Sequence, residues 1–246
     1  MGNTYFTHLR CGGCEQTLPG DMIQTVCPHC GKALVAEYDL ARARTELSYR
    51  DFGARAAGLW RYRKLLPVAD DSSIVSLGEG WTPVIRTPKL GGELGLKHLY
   101  LKEEGFNPTG SFKARGISVA VSRASELGIR EVAMPSAGNA GGALAAYAAR
   151  AGMRAHIFVP RDTPRVNVEE VTLFGGEIEL VDGVISDAAK RMNELKHGTG
   201  WFDMSTMKEP YRLEGKKTMG FELAEQFDWD LPDVIIYPTG GGTGLI

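Results

Sequence analysis

The sequence has no long apolar run, no long stretch of charge of one sign and no cysteine after residue 30. Its most apolar stretch, residues 140–149, is far shorter than the ~20 apolar residues that span a membrane. The 28 basic and 30 acidic residues are mixed along the chain, unlike the one-signed surface that binds nucleic acid. The first residues lack the basic start and apolar run of a secretory signal. We therefore expect a soluble cytoplasmic protein with neither a membrane nor a nucleic acid as partner.

The cysteines that are present form two pairs near the N-terminus. Cys11 and Cys14 make one C-x-x-C turn, and Cys27 and Cys30 make a second. Two such turns can direct four thiolates at one point, the ligand set of a structural zinc site. Disulfides and a redox-active C-x-x-C are the alternatives; a reducing cytoplasm disfavours the first, and the lack of a thioredoxin-like pattern disfavours the second. The spacing favours a zinc-ribbon-like segment over residues 1–38, in which the metal supplies most of the folding free energy.

From residue 99 onward, short β-branched runs alternate with helical patterns. The predicted strands are Tyr100–Lys102, Glu131–Met134, His156–Val159, Glu177–Val181 and Val234–Tyr237, and the predicted helices begin near Ser111, Asn139, Arg165, Ser186 and Glu214. This alternation predicts an α/β fold with a parallel sheet covered on both faces. Ligands of such sheets bind beyond the carboxyl ends of the strands, so the loops at those ends are the candidate sites.

The loop over residues 107–116 contains a lysine at a predicted helix start. Ser111 is a plausible N-cap, and Lys113 then lies in the first turn, where the helix dipole disfavours a cation. A lysine there has a lowered pKa and suits Schiff-base chemistry. A solvated helix lysine is the alternative, and spacing alone favours it.

Two further loops are rich in small residues. Residues 135–142 open a helix whose free N–H groups can hold an anion such as a carboxylate; Asn139 could also be no more than the helix cap. Residues 238–244 contain four glycines and two threonines after an apolar strand. Uncovered amides of this kind form a phosphate-binding nest, with a flexible tight turn as the alternative. The loop has neither the lysine of a P-loop nor the spacing of a dinucleotide-binding fingerprint.

Together, a Schiff-base lysine, an anion loop and a phosphate nest describe a pyridoxal-phosphate site. The strings at residues 107–113, 136–139 and 240–244 resemble those of the fold-type II pyridoxal-phosphate enzymes. Within that group, the strings at residues 77–83 and 210–218 are most similar to the threonine synthases.

The resemblance implies a domain organisation. Two open parallel-sheet αβα domains follow the ribbon of residues 1–38. The large domain comprises residues 39–114 and 210–246, and the small inserted domain comprises residues 115–209. The chain stops at Ile246, directly after the glycine loop, whereas family members continue, so we expect a truncated or partly recorded chain.

The resemblance also implies residue roles. Lys113 binds the cofactor and later moves the α-proton, in a reaction that converts O-phosphohomoserine and water to threonine and phosphate. The implied cofactor-binding residues are Phe112, Lys113, Asn139, Gly240, Gly241, Gly242, Thr243 and Gly244. The implied substrate-binding residues are Thr82, Ser136, Ala137, Gly138, Ser205, Thr206 and Arg212. Family members usually form dimers, so we expect a homodimer with pyridoxal phosphate and one structural zinc ion per chain.

Two alternatives remain at the level of sequence. Ala137 stands where many threonine synthases have threonine, and the loop over residues 240–244 is closer to that of serine and threonine dehydratases. A dehydratase, or another β-eliminating or β-replacing enzyme, is therefore the first alternative. A zinc-ribbon protein that binds a small anion without turnover is the second.

Overall fold

The computed structural model describes residues 4–53, 55–239 and 242–246. Its strands are β1 (Phe6–Cys11), β2 (Thr17–Pro19), β3 (Leu34–Tyr38), β4 (Val84–Arg86), β5 (Tyr100–Lys102), β6 (Glu131–Pro135), β7 (Arg154–Pro160), β8 (Glu177–Val181) and β9 (Phe202–Asp203). Its α-helices are α1 (Leu40–Glu46), α2 (Tyr49–Gly53), α3 (Pro88–Glu93), α4 (Lys113–Glu126), α5 (Asn139–Arg150), α6 (Arg165–Leu173), α7 (Ile185–Lys196) and α8 (Tyr211–Gln226). Short 3₁₀ helices span Leu59–Leu65, Asp71–Ser73, Glu104–Phe106 and Pro108–Gly110. No helix in the described ranges is long and apolar enough to cross a membrane.

Four strands form a parallel sheet in the order β8-β7-β6-β9. Side chains of β6 alternate between its faces, as pleating requires. Val132 and Met134 belong to the large core cluster that includes α5, whereas Ala133 packs in a second cluster with Ala188 and Met192 of α7. Helices therefore cover both faces of the sheet, which confirms the parallel α/β architecture expected from the sequence.

Two of the five predicted strands do not join this sheet. Tyr100–Lys102 is β5, but it pairs antiparallel with β4, with Lys102 opposite Val84. Val234–Tyr237 forms no strand, and Ile236 is 92% exposed. A strand needs a neighbour for its backbone hydrogen bonds, and the described residues supply none at this point. The second parallel sheet is therefore not formed within the part of the chain that the structure describes.

The four-cysteine segment carries an antiparallel sheet of order β2-β1-β3. Leu18 and Leu34 are buried in the same core cluster as Tyr211 of α8. Tyr38, at the end of β3, donates a 2.5 Å hydrogen bond to Glu214 of the same helix. Apolar burial against the rest of the chain therefore stabilises this segment, in addition to any metal that its thiols bind.

Helices α4 and α8 touch backbone to backbone at two glycines. A Cβ atom on Gly215 would lie 2.0 Å from the carbonyl oxygen of Arg115, and one on Gly116 would lie 2.7 Å from that of Arg212. Any side chain at these positions would push the helices apart. The crossing brings the first turns of the two helices together, so that Lys113 of α4 lies beside α8.

A buried charge network fixes the same two helices to the loops before them. The Arg115 guanidinium, which is fully buried, donates to both oxygens of Glu104 at 2.7 and 2.8 Å and to both oxygens of Glu222 at 2.5 and 2.7 Å. Lys102 also donates to Glu222, at 2.9 Å. Bidentate pairing of this kind offsets the cost of removing the charges from water.

We expect Glu222→Gln to lower the free energy of unfolding by about 3 to 5 kcal/mol, because it leaves the buried charges of Arg115 and Lys102 without a full partner. Urea denaturation measures the change. The matched control is Glu169→Gln, which removes the exposed partner of Arg165 on α6 and should have no resolvable effect.

The effect of Glu222→Gln should depend on pH. Burial disfavours the Glu222 carboxylate, but hydrogen bonds and the charge of Arg115 outweigh it and hold the pKa of Glu222 below its ordinary value. A carboxyl with a lowered folded pKa stabilises the fold above its unfolded pKa of ~4.3, and this stabilisation is lost as the pH falls through the folded value. A difference between the two proteins that stayed constant into acid would contradict this account.

Candidate active site

Lys113 is the first residue of α4, and its backbone N–H donates to the Ser111 hydroxyl at 3.3 Å. Its side chain is half-buried. Burial lowers the pKa of Lys113, and the positive charge of Arg212 lowers it further. The lowered pKa predicted from the helix start is thus present, although burial is its largest cause. The alternative of a fully solvated lysine does not describe this side chain.

Phe112 lies between two amines. Its ring centroid is 5.0 Å from Nζ of Lys113 and 5.3 Å from Nζ of Lys216. The ring of Tyr237 packs edge-on against it, with the centroids 5.7 Å apart. The aromatic face therefore marks a place where a planar group and two amines can meet; the cofactor-binding role of Phe112 stays a prediction.

A small cleft lies beside these groups at the start of α8. It is lined by Thr206, Met207, Glu209, Arg212, Leu213, Lys216 and Thr243. Arg212 is 6% exposed and donates from Nη1 to the Met204 carbonyl oxygen at 2.6 Å. Its Nε is buried and has no hydrogen-bond partner among the described residues. A buried, unsatisfied guanidinium donor on a residue that lines a cleft suits an anionic ligand.

Glu209 is an acidic group whose charge acts on both Arg212 and Lys216. Its carboxylate accepts from the backbone N–H groups of Tyr211 at 2.6 Å and Arg212 at 3.0 Å, and so caps α8. Burial raises the pKa of Glu209 to about 7, although the charge of Arg212 and these hydrogen bonds oppose the shift. Near neutral pH, Glu209 therefore balances only part of the positive charge at the cleft.

Lys216 is a site residue that the sequence analysis missed. It lies one helical turn after Arg212 and is 6% exposed, and its Nζ hydrogen-bonds to Oγ1 of Thr243. Burial, together with the charges of Arg212 and Lys113, lowers the pKa of Lys216 to about 7. The i,i+4 spacing from Arg212 was the available signal, since residues so spaced share one helix face.

In the loop before α5, the side chain that caps the helix start is Ser136 and not Asn139. The Ser136 hydroxyl accepts from the backbone N–H of Gly141 at 2.9 Å and donates to the Gly138 carbonyl oxygen at 3.0 Å. The side chains of Ala137 and Asn139 are exposed. The interpretation of Asn139 as a simple cap is therefore wrong, and its amide is available to a ligand.

Two of the hydroxyls expected to bind substrate form hydrogen bonds to carboxylates outside the cleft. Thr82 is buried and donates to Glu104 at 2.6 Å, within the Arg115 network. Ser205 donates to Asp203 at 2.5 Å. Neither residue lines the cleft, whereas Thr206, next to Ser205, does.

The glycine loop is described in part. Gly240 and Gly241 lie outside the described residues. Gly242 has a φ of 77°, and a Cβ atom on Gly244 would lie 2.1 Å from the Tyr237 hydroxyl. Thr243 reaches Lys216 in the cleft. The end of the predicted phosphate loop is therefore adjacent to Lys113, Arg212 and Lys216, which together form a cation cluster.

The four cysteines come together in one cluster. Their sulfur atoms all lie within 4.8 Å of one another, and neighbouring sulfurs are 3.4 to 3.7 Å apart. A tetrahedral zinc ion with Zn–S bonds of ~2.3 Å spaces its sulfurs by about 3.8 Å. Backbone N–H groups of Cys14 and Gly13 donate to Cys11 and lower the pKa of that thiol to about 6, which favours the thiolate that binds metals. The cluster fits one zinc ion, as the spacing predicted.

The groups around Lys113 also fit pyridoxal phosphate. A half-buried amine with a lowered pKa stands beside an aromatic ring, and next to it lies a cleft with an unsatisfied guanidinium donor and the end of a glycine loop. The amine matches the aldehyde of this cofactor, and the cations and loop match its phosphate or a second anion.

Comparison with known proteins agrees with this chemistry. The model of a family described as "Pyridoxal-phosphate dependent enzyme" matches residues 75–246. The chain therefore belongs to the family of pyridoxal-phosphate-dependent enzymes.

Two of the relatives that the chain matches are threonine synthases. The chain is 40% identical to a threonine synthase of Methanocaldococcus jannaschii over 237 residues, which are 96% of this chain and 58% of that protein. It is 36% identical to a threonine synthase of Methanosarcina acetivorans over 97% of this chain and 58% of that protein. The chain thus spans less than two thirds of the length of these relatives.

Solved structures of the same fold include maize serine racemase and a threonine deaminase of Solanum lycopersicum. The racemase superposes with a TM-score of 0.61 and 32% identity, over 67% of this chain and 49% of that one. The deaminase gives a TM-score of 0.59 and 28% identity, over 67% of this chain and 45% of that one.

We expect the chain to bind one zinc ion, with all four thiolates as ligands. Cys27→Ser should lower the metal content measured by elemental analysis and loosen the N-terminal segment in hydrogen exchange. His29→Ala is the matched control, because His29 is exposed within the second turn and should leave the stoichiometry at one. Metal-free protein that contained two disulfides would contradict the assignment.

We expect pyridoxal phosphate to attach covalently to Lys113. Borohydride reduction followed by peptide mass spectrometry should place the cofactor on this lysine and find none in Lys113→Ala. The exposed helix lysine Lys190 provides the matched control, since Lys190→Ala should label as the unchanged protein does. A label on Lys216 instead would show that the assignment of the two amines is reversed.

Proposed function

We propose that this chain acts as a threonine synthase, which converts O-phosphohomoserine and water to threonine and phosphate with pyridoxal phosphate. Identity of 36 to 40% to threonine synthases over nearly all of the chain supports this proposal. The observation that carries it is the buried Arg212 of the cleft, whose Nε has no partner among the described residues and which lies close enough to lower the pKa of Lys113.

The charge balance of the cleft favours a substrate that carries a phosphate. Arg212, Lys113 and Lys216 are three basic groups; the charge of Glu209 acts on Arg212 and Lys216, and that of Asp203 acts on Arg212. The cofactor phosphate and a substrate phosphate together would balance this charge, and an arginine fork matches phosphate oxygens in geometry. A substrate with only an α-carboxylate would leave more of the cation charge uncompensated.

The residues of the site have separate tasks in this reaction. Pyridoxal phosphate, when bound, supplies an electron sink that allows protons to leave Cα and Cβ and phosphate to leave Cγ. Lys113, whose pKa is lowered, is the base that takes the Cα proton. Arg212 holds the departing phosphate. The loop of Ser136, Ala137, Gly138 and Asn139, at the start of α5, holds the substrate carboxylate. One of the two protons returns to Cγ and the other leaves on the phosphate; water then adds its hydroxyl at Cβ and a proton at Cα to give threonine.

A serine or threonine dehydratase is the second candidate function. The observation in its favour is the likeness to serine racemase and threonine deaminase structures at 28 to 32% identity. Such an enzyme needs Lys113 as the base and the loop of residues 136–139 for the substrate carboxylate. It needs no site for a substrate phosphate in addition to the cofactor phosphate.

The wider organisation forms part of the same proposal. The ribbon of residues 1–38 precedes a large domain of residues 39–114 and 210–246, and residues 115–209 form a small domain that moves against it when substrate binds. The protein acts as a homodimer in the cytoplasm.

We expect purified protein with pyridoxal phosphate to release inorganic phosphate and threonine together from O-phosphohomoserine, and Lys113→Ala to release neither. Arg212→Gln should raise KM for O-phosphohomoserine by about 10- to 100-fold, the value of one or two hydrogen bonds to a charged group. Arg161→Gln is the matched control, because Arg161 is exposed and pairs with Asp182. Conversion of threonine or serine to a keto acid, with no reaction of O-phosphohomoserine, would establish the dehydratase instead.

A further inference from the structure

Lys216 differs from the other lysine next to it on α8. Lys217 pairs with Glu214 at 2.5 Å, so its charge is balanced within the helix. Lys216 forms no ion pair with a carboxylate in the described part of the chain, although it is 6% exposed. Burying an amine without an acidic partner is costly, so the arrangement at Lys216 needs a reason outside simple packing.

The surroundings of Lys216 point to an anion. The amine and the Arg212 side chain line the same cleft, one helical turn apart. Arg212 offers the unsatisfied Nε, and an ammonium has three donors, one of which the Thr243 hydroxyl can accept. Donors on a buried lysine and a buried arginine that line one cleft are the recognition chemistry of a phosphate.

We propose that Lys216 binds a phosphate group in the active-site cleft, together with Arg212. The identity of that phosphate rests on the proposed function: it belongs either to the cofactor or to the substrate and its product. Both have the same chemistry, a phosphate dianion, and binding studies can separate them.

The proposal predicts that the affinity for phosphate depends on pH. The charged and titratable groups that face Lys216 are Lys113 of α4, Arg212 of α8 and Glu209 before α8. Without ligand, the pKa of Lys216 is about 7, so part of the amine is neutral near neutral pH. A bound dianion stabilises the ammonium and raises that pKa, and binding therefore takes up a proton. Affinity should fall as the pH rises above the ligand-free pKa.

The first experiment titrates the protein loaded with pyridoxal phosphate with inorganic phosphate, by calorimetry across neutral and alkaline pH. If the phosphate is that of the substrate, Lys216→Gln should weaken binding by about 10- to 100-fold near pH 7. Lys216→Arg should keep the affinity and lose the alkaline decline, since a guanidinium stays charged. Both variants retain Glu209, whose own titration near pH 7 is therefore common to all profiles. Lys190→Gln is the matched surface control.

A second experiment identifies the source of the phosphate. Protein without cofactor is titrated with pyridoxal phosphate and with pyridoxal, which has the aldehyde but no phosphate. If Lys216 binds the cofactor phosphate, Lys216→Gln reduces the preference for pyridoxal phosphate and leaves inorganic phosphate binding to the loaded protein unchanged. If it binds the substrate phosphate, the reverse pattern appears. Either pattern supports the proposal.

The proposal is overturned if folded Lys216→Gln and Lys216→Arg bind both ligands as the unchanged protein does. Circular dichroism establishes that the variants are folded, and Lys216→Arg keeps the test open if the glutamine variant is not. Failure of the proposed function is a separate result. If phosphate binding depends on Lys216 but no threonine is produced, this inference holds and the proposed function fails. If threonine is produced but the Lys216 variants bind phosphate normally, the proposed function holds and this inference fails.

Discussion

The pairing of Arg115 with two glutamates is the interaction on which the site depends. Glu104 lies in the turn before the lysine loop, and Glu222 lies in the last half of α8. One buried guanidinium therefore joins the loop that precedes Lys113, the helix that follows it and the helix that carries Arg212. Because Lys113 is two residues from Arg115, its place relative to the cleft follows from this pairing. A buried ion pair is a poor source of net stability but a strict geometric constraint, and geometry is what this site requires.

The N-terminal four-cysteine segment connects to the same helix from another side. Tyr38 donates to Glu214, and the ammonium of Lys217 lies 3.9 Å from the Tyr38 ring centroid. Arg212 and Lys216 lie on the cleft side of α8, so the helix stands between the ribbon and the cations. The ribbon therefore supports one face of a helix whose cleft side carries Arg212 and Lys216. The four-cysteine segment thus helps to position these two cations.

Local patterns in the sequence predicted the features that local physics controls. The three β-branched runs that begin at Glu131, His156 and Glu177 became neighbouring parallel strands, and the paired cysteines became one thiol cluster. Lys113 opens its helix as expected. These features depend on residue spacing, turn residues and side-chain alternation, all of which are visible within short windows.

Other features depend on residues distant in sequence and were not predictable in this way. Val234–Tyr237 has the composition of a strand, but composition cannot supply the neighbour that a strand needs. Ser136 displaced Asn139 as the helix cap, because its hydroxyl reaches the N–H of Gly141 five residues on. Lys216 was missed since only the α4–α8 crossing shows that it is buried beside Arg212.

The cation cluster explains why an arginine, whose charge is permanent, lies next to Lys113. When an arginine and two lysines share a partly buried site, their mutual repulsion is relieved by loss of a proton, and that proton comes from a lysine. Burial lowers the pKa of Arg212, but the ordinary value for a guanidinium is so high that the group stays charged. Arg212 therefore acts in two ways: it is a permanent cation at the cleft, and its charge helps to lower the pKa of Lys113. A lysine at position 212 could serve the first purpose but not the second, because it would share the loss of the proton.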